Sequence, residues 1–228
     1  MGYVGDIYKY TSKVFYKELK RILALDDKYK EYQFIFAGHS LGGMMASIYA
    51  FDSVEKKILD KEKNSPVLIS LGSPKVGNDV FVKTVKENVP HIFKIVRHGD
   101  LFPKLPAKPE DDIEITKIDG AELIAALLGD FSLTNKMYED FDEFYLLDKD
   151  MKHITKCDAT NPTEKCKNKL DLKLDFALDH HFKYFFEDKK ISNLCIEEKK
   201  ADAFGDMGKK EEEPKKEKPE KEKEKKKQ

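Results

Sequence analysis

The residues best suited to chemistry form a Gly-x-Ser-x-Gly pentapeptide at residues 38–42, with Ser40 at its centre. An apolar run, QFIFA at residues 33–37, precedes it, and a segment rich in Met, Ala and Ile follows it at residues 41–58. In such a strand–turn–helix the serine occupies a strained turn, and glycines on both flanks are expected to avoid backbone clashes. The pattern predicts a nucleophilic Ser40 and an oxyanion-binding N–H of Leu41 at the helix N terminus. The alternative is a glycine-rich turn with a capping serine.

A serine nucleophile needs a general base, and that base needs a carboxylate to hold its tautomer. Where a serine occupies this kind of turn, the chain order is Ser, acid, His. Asp100 follows a third predicted strand and is expected at the same edge of the sheet as Ser40. Asp79 is the alternative acid, but it opens a predicted helix, where it is expected to act as a cap or first-turn residue. We therefore predict Asp100 as the acid.

Six histidines are candidates for the base, and their positions separate them. His180 and His181 follow the acid and lie beside the aromatic run FKYFF, which can anchor a terminal helix near the active edge. The other four are less suited. His91 and His98 precede the acid, and His153 lies beside a cysteine loop. His39 lies inside the pentapeptide, and its side chain is expected to point into the sheet packing. Residue order alone leaves His180 and His181 open.

The elements that must position these residues alternate between strands and helices. A helix is predicted over the first thirty residues, ending near Asp26-Asp27, because apolar side chains recur there at helical spacing. Strands are predicted at residues 66–71 and 91–96, with a helix between them at residues 79–87. Less regular patterns suggest strands at 113–118 and 144–147 and helices at 121–128 and 178–186. Alternation of strands and helices predicts an α/β fold with a parallel sheet.

Composition excludes several classes of protein. The 228 residues contain 42 Lys and Arg against 43 Asp and Glu, a formal charge of −1 that gives no reason to expect nucleic-acid binding. At 40% hydrophobic and 37% charged, the chain suits a globular domain, and no apolar run is long enough to cross a bilayer. Residues 209–228 hold 10 Lys and 7 Glu. We therefore expect a folded domain at residues 1–196 and a disordered Lys/Glu-rich tail at residues 197–228.

Three cysteines indicate one disulfide at most. Cys157 and Cys166 flank the turn-rich stretch CDATNPTEKC, which can bring the two sulfurs together, so we predict a local bridge that restrains this hairpin and little else. Three reduced thiols are the alternative. Cys195 has no partner in the prediction, and the first residues, MGYVGDIYKY, lack the apolar core of a signal peptide.

Four segments together resemble the class 3 lipases, the fungal triacylglycerol lipase-like branch of the α/β-hydrolases. They read FAGHSLGGMMASI, LGSPKVGN, VRHGDLFPKLP and DHHFKYF, and they occur in that family's order. The resemblance spans Gly2 to about Phe186 and is looser between Lys108 and Lys152. It implies an α/β-hydrolase-type parallel sheet flanked by helices.

The resemblance also assigns roles to site residues. It implies Ser40 as nucleophile, Asp100 as the orienting acid and His181 as the base, because residues 181–185 fit the family motif H-x-x-Y-F whereas His180 breaks its register. The implied reaction is hydrolysis of a glycerolipid ester through an acyl-serine intermediate, with no metal or organic cofactor. The expected partner is a lipid ester at a lipid–water interface. Phospholipase A1-like and feruloyl esterase-like members share this triad.

One departure from the family pattern concerns the N-terminal side of the domain. Family members carry strands, a second oxyanion donor and a lid upstream of the segment that resembles the start of this chain. We therefore expect an N-terminally incomplete copy of a longer protein, secreted or held in the endomembrane lumen. A non-catalytic remnant or lipid-binding pseudoenzyme is the alternative to an esterase.

Overall fold

The computed structural model describes residues 3–108, 137–161, 163–168, 170 and 173–184. All of them lie in the unit Met1–Phe185, one of two into which the chain divides. Several sequence predictions fall outside the described residues, namely the strand at 113–118, the helix at 121–128, Cys195 and the Lys/Glu-rich tail. The domain boundary near residue 196 therefore stays a prediction.

Five strands form one sheet in the order β1-β2-β3-β4-β5. They are β1 (Ile35–His39), β2 (Val67–Leu71), β3 (His91–Arg97), β4 (Glu143–Leu147) and β5 (Ile154–Asp158). The first four are parallel, and β5 pairs antiparallel with β4. The predicted α/β class is confirmed. Sequence reasoning missed β5, because its short, largely polar sequence ITKCD lacks the apolar run of a buried strand.

Five α-helices accompany this sheet in the described ranges. They are α1 (Tyr3–Leu23), α2 (Leu41–Glu55), α3 (Lys61–Asn64), α4 (Asp79–Asn88) and α5 (Leu174–Phe182). Several predicted helix boundaries were wrong, among them the end of α2, which lies at Glu55 rather than at residue 58. Helix α1 ends before Asp26 because the Asp26 carboxylate accepts the Lys28 N–H and caps a separate 3-10 helix, Asp27–Glu31. Helix α5 begins four residues before the predicted start and ends at Phe182.

A cluster of apolar and aromatic side chains joins α1 and α2 to the sheet. Its members include Tyr16 and Leu19 from α1, Tyr49 and Ala50 from α2, and Phe36 and Leu68 from the strands. Ala50 and Leu68 have no exposed surface, and the Phe15 ring stacks on Tyr49 at a centroid distance of 4.0 Å. Because burial of apolar surface is the main stabilising contribution, this cluster fixes α2 against β1 and β2. The turn between β1 and α2 is thereby fixed as well.

A set of hydrogen-bonded polar side chains from α1 and the end of α2 lies beside that cluster. The hydroxyls of Tyr8 and Tyr16 both donate to the Asp52 carboxylate, and Lys56 Nζ lies 2.6 Å from Asp52 Oδ1. Burial opposes ionisation of Asp52, but hydrogen bonds from Lys56, Tyr16 and Tyr8 outweigh it and hold the pKa of the carboxyl below its ordinary value. The ionised Asp52 carboxylate of α2 is thus hydrogen-bonded to two tyrosines of α1.

The predicted disulfide is present. It joins Cys157 in β5 to Cys166 in the short turn Glu164–Cys166, with the two Cα atoms 5.6 Å apart. Both side chains are buried beside Val96 and Leu146. The bridge therefore ties the segment after β5 to the edge of the sheet. None of the described helices is both long and apolar enough to cross a bilayer.

Candidate active site

Ser40 occupies a sharp turn between the end of β1 and the start of α2. Its backbone has φ 55° and ψ −125°, a conformation that is strained for a residue with a Cβ. The Ser40 N–H donates to the carbonyl of Leu71 at the end of β2, at 2.9 Å. A Cβ on Gly38 would lie 2.1 Å from the carbonyl oxygen of Gly42, so only glycine fits at residue 38. The hydrogen bond to β2 and the close approach of Gly38 to Gly42 together hold Ser40 in this conformation.

The second flanking glycine does not have the role that the sequence suggested. A Cβ on Gly42 would meet no atom within 4 Å, so the expectation of steric necessity at both flanks was wrong. The next residue is the constrained one, since a Cβ on Gly43 would lie 2.7 Å from the Cβ of Ser73. Close packing of α2 on the turn after β2 therefore requires a glycine one position later than predicted.

The structure brings Ser40 and His181 into contact across 141 residues of sequence. The Ser40 Oγ lies 2.8 Å from His181 Nε2. The imidazole is 1% exposed and stacks on the Phe102 ring, with centroids 3.8 Å apart and planes tilted by 17°. The face-to-face contact fixes the plane of the imidazole, so that one nitrogen points at Ser40 and the other into the protein.

The inward-facing nitrogen of His181 meets Asp100. Its Nδ1 lies 3.2 and 3.1 Å from the two carboxylate oxygens, and Asp100 is fully buried. The Phe102 N–H donates to Asp100 Oδ1 at 2.9 Å, and the Tyr184 hydroxyl donates to Oδ2. These hydrogen bonds fix the orientation of the buried carboxylate toward His181.

Tyr184 is a site residue that the sequence reasoning did not single out. Its hydroxyl donates to Asp100 and accepts the Arg97 N–H at 3.1 Å, and the ring is buried. Burial first, and then the negative charge of Asp100, raise the pKa of Tyr184 well above its ordinary value, so the hydroxyl stays a donor. The tyrosine of the H-x-x-Y-F segment was the available signal.

His39 was expected to point into the sheet packing, and its actual contact is different. Its Nε2 lies 2.7 Å from the backbone carbonyl oxygen of His181, to which it can only donate. The two imidazole centroids are 4.6 Å apart. Burial, and then proximity to His181, lower the pKa of His39 and favour its neutral ring. The residue before the nucleophile thus holds the backbone of the candidate base.

The alternative candidates lie elsewhere. Asp79 is exposed in the first turn of α4, where Asn78 caps the helix by accepting the Phe81 N–H at 3.0 Å. His153 is largely exposed and lies 2.8 Å from Asp148. His180 packs against Gly99 rather than Ser40. Of the two adjacent histidines, His181 is the one that contacts the serine.

Helix α2 begins at Leu41, directly after the serine. The N–H groups in the first turn of a helix have no acceptor within that helix, and the helix dipole favours negative charge there. The Ser40 carbonyl accepts the N–H of Gly43 at 2.9 Å and that of Met44 at 3.3 Å. The geometry suits the predicted oxyanion role of the Leu41 N–H, which stays a prediction.

Ser40, His181 and Asp100 form a continuous series of hydrogen-bonded side chains. In the described ranges, no group of three or more His, Cys, Asp or Glu side chains is arranged to hold a metal ion. A hydroxyl, an imidazole and a carboxylate in hydrogen-bonded sequence can activate the hydroxyl as a nucleophile and return the proton to a leaving group.

Comparison with known proteins shows which family and which fold this chain resembles. Residues 2–110 match the family model described as lipase (class 3). The resemblance to class 3 lipases is confirmed. Lipase II from Rhizopus niveus has a similar structure, with a TM-score of 0.54 over 78% of this chain and 55% of that one, at 18% sequence identity. This likeness confirms the α/β-hydrolase type of fold.

Curated relatives of this class 3 lipase-like chain include lipases and a phospholipase. The lipase ZK262.3 of Caenorhabditis elegans is 29% identical over 49% of this chain and 31% of the relative. Phospholipase A1-IIalpha of Arabidopsis thaliana is 36% identical over 39% of this chain and 22% of its own length. The secreted mono- and diacylglycerol lipase 1 of Fusarium solani is 33% identical over 33% and 21%, respectively. The chain thus spans about a third or less of each relative.

Proposed function

We propose that this protein is a serine ester hydrolase that cleaves carboxylic esters of glycerolipids through an acyl-serine intermediate. The contact between Ser40 Oγ and His181 Nε2, at 2.8 Å on a strained strand–helix turn, is the observation that carries this proposal. Similarity to lipases and to a phospholipase A1 supports the ester bond as the target.

The proposed first half-reaction acylates the serine. His181 Nε2 takes the proton of Ser40 as its Oγ attacks the ester carbonyl, and Asp100 stabilises the imidazolium that forms. The Leu41 N–H stabilises the oxyanion of the tetrahedral intermediate. Collapse of that intermediate transfers the proton from His181 to the departing alcohol.

The second half-reaction releases the acid. Water attacks the acyl-serine while His181 accepts a proton from it. The second tetrahedral intermediate then collapses to the free carboxylic acid as His181 returns that proton to the departing Ser40 Oγ. Each step uses the same base and acid, so the three side chains account for a complete cycle.

Loss of the serine hydroxyl tests this mechanism. Ser40→Ala should reduce hydrolysis of p-nitrophenyl butyrate to background. Ser47→Ala is the matched control, because Ser47 lies on the same helix and its hydroxyl donates to a backbone carbonyl within that helix. Both variants should keep the wild-type far-UV circular dichroism. Substantial activity in Ser40→Ala would overturn the assignment of the nucleophile.

A phospholipase A1-like activity is the second candidate, favoured by the 36% identity to a phospholipase A1. Fatty-acid release from triacylglycerol emulsions and from phosphatidylcholine vesicles, followed by titration at constant pH, separates the two. Faster release from triacylglycerol supports the lipase, and faster release from phosphatidylcholine supports the phospholipase.

We also propose an oxidising compartment, outside the cell or in an endomembrane lumen. The disulfide between Cys157 and Cys166 supports it, because such bonds persist mainly where thiols are not kept reduced. The Fusarium solani relative is named as a secreted lipase, which agrees with this proposal. Thiol titration of the protein isolated from its native source should find both cysteines oxidised.

A further inference from the structure

The loop that carries Asp100 has an unusual backbone at the preceding residue. Gly99 has φ +93°, a conformation that residues with a Cβ rarely adopt. The Asp100 N–H donates to the Arg97 carbonyl at 3.1 Å, which closes a tight turn at the end of β3. Because Gly99 and Asp100 share a peptide bond, any movement of Gly99 changes where the carboxylate points.

A side chain from a distant segment holds this glycine. Asn168 Oδ1 accepts the Gly99 N–H at 2.7 Å, across 69 residues of sequence. In the part of the chain that the structure describes, Asn168 Nδ2 makes no hydrogen bond. The bond to Gly99 is thus the contact that a substitution of this amide removes.

The disulfide fixes the segment that carries Asn168. Cys166 lies two residues before Asn168 and is bonded to Cys157 in β5. Cys157 pairs with Phe144 of β4, and β4 pairs with β3, the strand that leads to Gly99. Asn168 is therefore attached to the sheet through the disulfide. The loop that carries Asp100, called the acid loop below, is attached to the same sheet through β3.

The helix that carries the base also packs against Gly99. A Cβ on Gly99 would lie 2.7 Å from Cδ2 of His180, the neighbour of His181. Gly99 is therefore in contact with both the Asn168 amide and α5. Displacement of Gly99 would change the distance between Asp100 and His181, which is 3.1 Å at its shortest.

We infer that Asn168 is a positioning residue for the acid loop and that the Cys157–Cys166 bridge holds Asn168 in place. The inference rests on the proposed ester hydrolysis and extends it. The sequence suggested that the bridge restrains its own hairpin and little else. The structure instead connects it, through Asn168 and Gly99, to Asp100.

Substitution of Asn168 tests the first half of the inference. Asn168→Leu keeps the number of side-chain heavy atoms and the branch at Cγ but removes the acceptor. It should lower kcat for p-nitrophenyl butyrate about 10- to 10²-fold with KM within about two-fold, because a misplaced acid affects the transition state. Asn168→Asp keeps an acceptor oxygen and should recover most of kcat. Asn161→Leu, an exposed residue inside the bridged loop, is the control and should match the wild type.

Reduction of the bridge tests the second half. Dithiothreitol supplies two electrons and two protons, which convert the disulfide to two thiols while the reagent closes into its own cyclic disulfide. Reduction should lower kcat of the wild type by about the factor seen in Asn168→Leu, and it should have little further effect on that variant. Equal, multiplicative losses in both proteins would mean that the bridge acts independently of Asn168, which would overturn the connection.

Amide hydrogen exchange at Gly99 gives a readout that does not depend on activity. Exchange at this amide should accelerate at least ten-fold in Asn168→Leu and in the reduced wild type, and it should be unchanged in Asn161→Leu. Unchanged exchange in both would contradict the inference even if the protein is an esterase. Accelerated exchange in a protein without esterase activity would support the positioning contact and contradict the proposed function.

Discussion

Among single residues, the proposed chemistry depends on which of two adjacent histidines is the base. His181 is buried between Phe102 and Asp100 with Nε2 on Ser40, whereas His180 packs on Gly99. His181→Ala should reduce kcat about 10⁴-fold or more, since both the general base and the general acid are lost. His180→Ala should stay within about ten-fold. Steady-state rates with p-nitrophenyl butyrate check both, and a larger loss in His180→Ala would refute the assignment.

Three residues that the sequence reasoning did not assign to the site support the predicted acid and base. Tyr184 and Asn168 act on Asp100 and Gly99, and His39 acts on the backbone of His181. The contact of Ser40, Asp100 and His181 was predictable because local pattern, chain order and family motif each restrict the choice of residues. Their supporting contacts were not, because a hydrogen bond between residues 69 or 142 positions apart leaves no spacing signal in one sequence.

Among secondary-structure elements, the strand–turn–helix at Ser40 predicts that alanine substitutions at Gly38 and Gly42 have different effects on stability. A Cβ at Gly38 would lie 2.1 Å from backbone, whereas a Cβ at Gly42 would meet open space. Gly42→Ala should keep or raise the thermal unfolding temperature, because alanine gains about 1 kcal/mol of helix propensity over glycine. Gly38→Ala should unfold at least 10 °C lower or fail to fold. Equal unfolding temperatures would contradict the turn geometry.

The contact between α1 and α2 should make stability depend on pH. The pKa of Asp52 is lowered in the folded protein, so the unfolded chain binds the proton more readily and the free energy of unfolding falls as pH drops from about 5 to about 2. In Asp52→Asn the free energy of unfolding should be about 2 kcal/mol lower at neutral pH and should fall less steeply in acid.

Urea unfolding at about pH 6 and about pH 3.5 measures this effect. Asp79→Asn is the control, because Asp79 is exposed in the first turn of α4 and should leave the acid dependence at the wild-type value. An Asp52→Asn variant with the full wild-type pH dependence would show that the hydrogen bonds from Tyr8, Tyr16 and Lys56 do not stabilise the ionised form.

At the scale of the whole molecule, regular patterns were predictable and irregular ones were not. Strands β1 to β3 coincide with short apolar runs, and helices α2 and α4 lie between them, so the alternation of these elements predicts the parallel sheet. Strand β5 escaped prediction because it is short and polar, and α5 was misplaced at both ends because aromatic residues dominated the pattern. The disulfide was predictable from a turn between two nearby cysteines, but its connection to the acid loop required the three-dimensional arrangement.

Labelling with a fluorophosphonate probe measures most directly whether Ser40 is an activated nucleophile. The folded protein should gain one probe adduct, located by peptide mass mapping on Ser40. Ser40→Ala should take up none, and His181→Ala should react at least 10²-fold more slowly, because the base is missing. A folded wild-type protein that takes up no probe, or carries it on a residue other than Ser40, would contradict the account and favour a lipid-binding protein without catalysis.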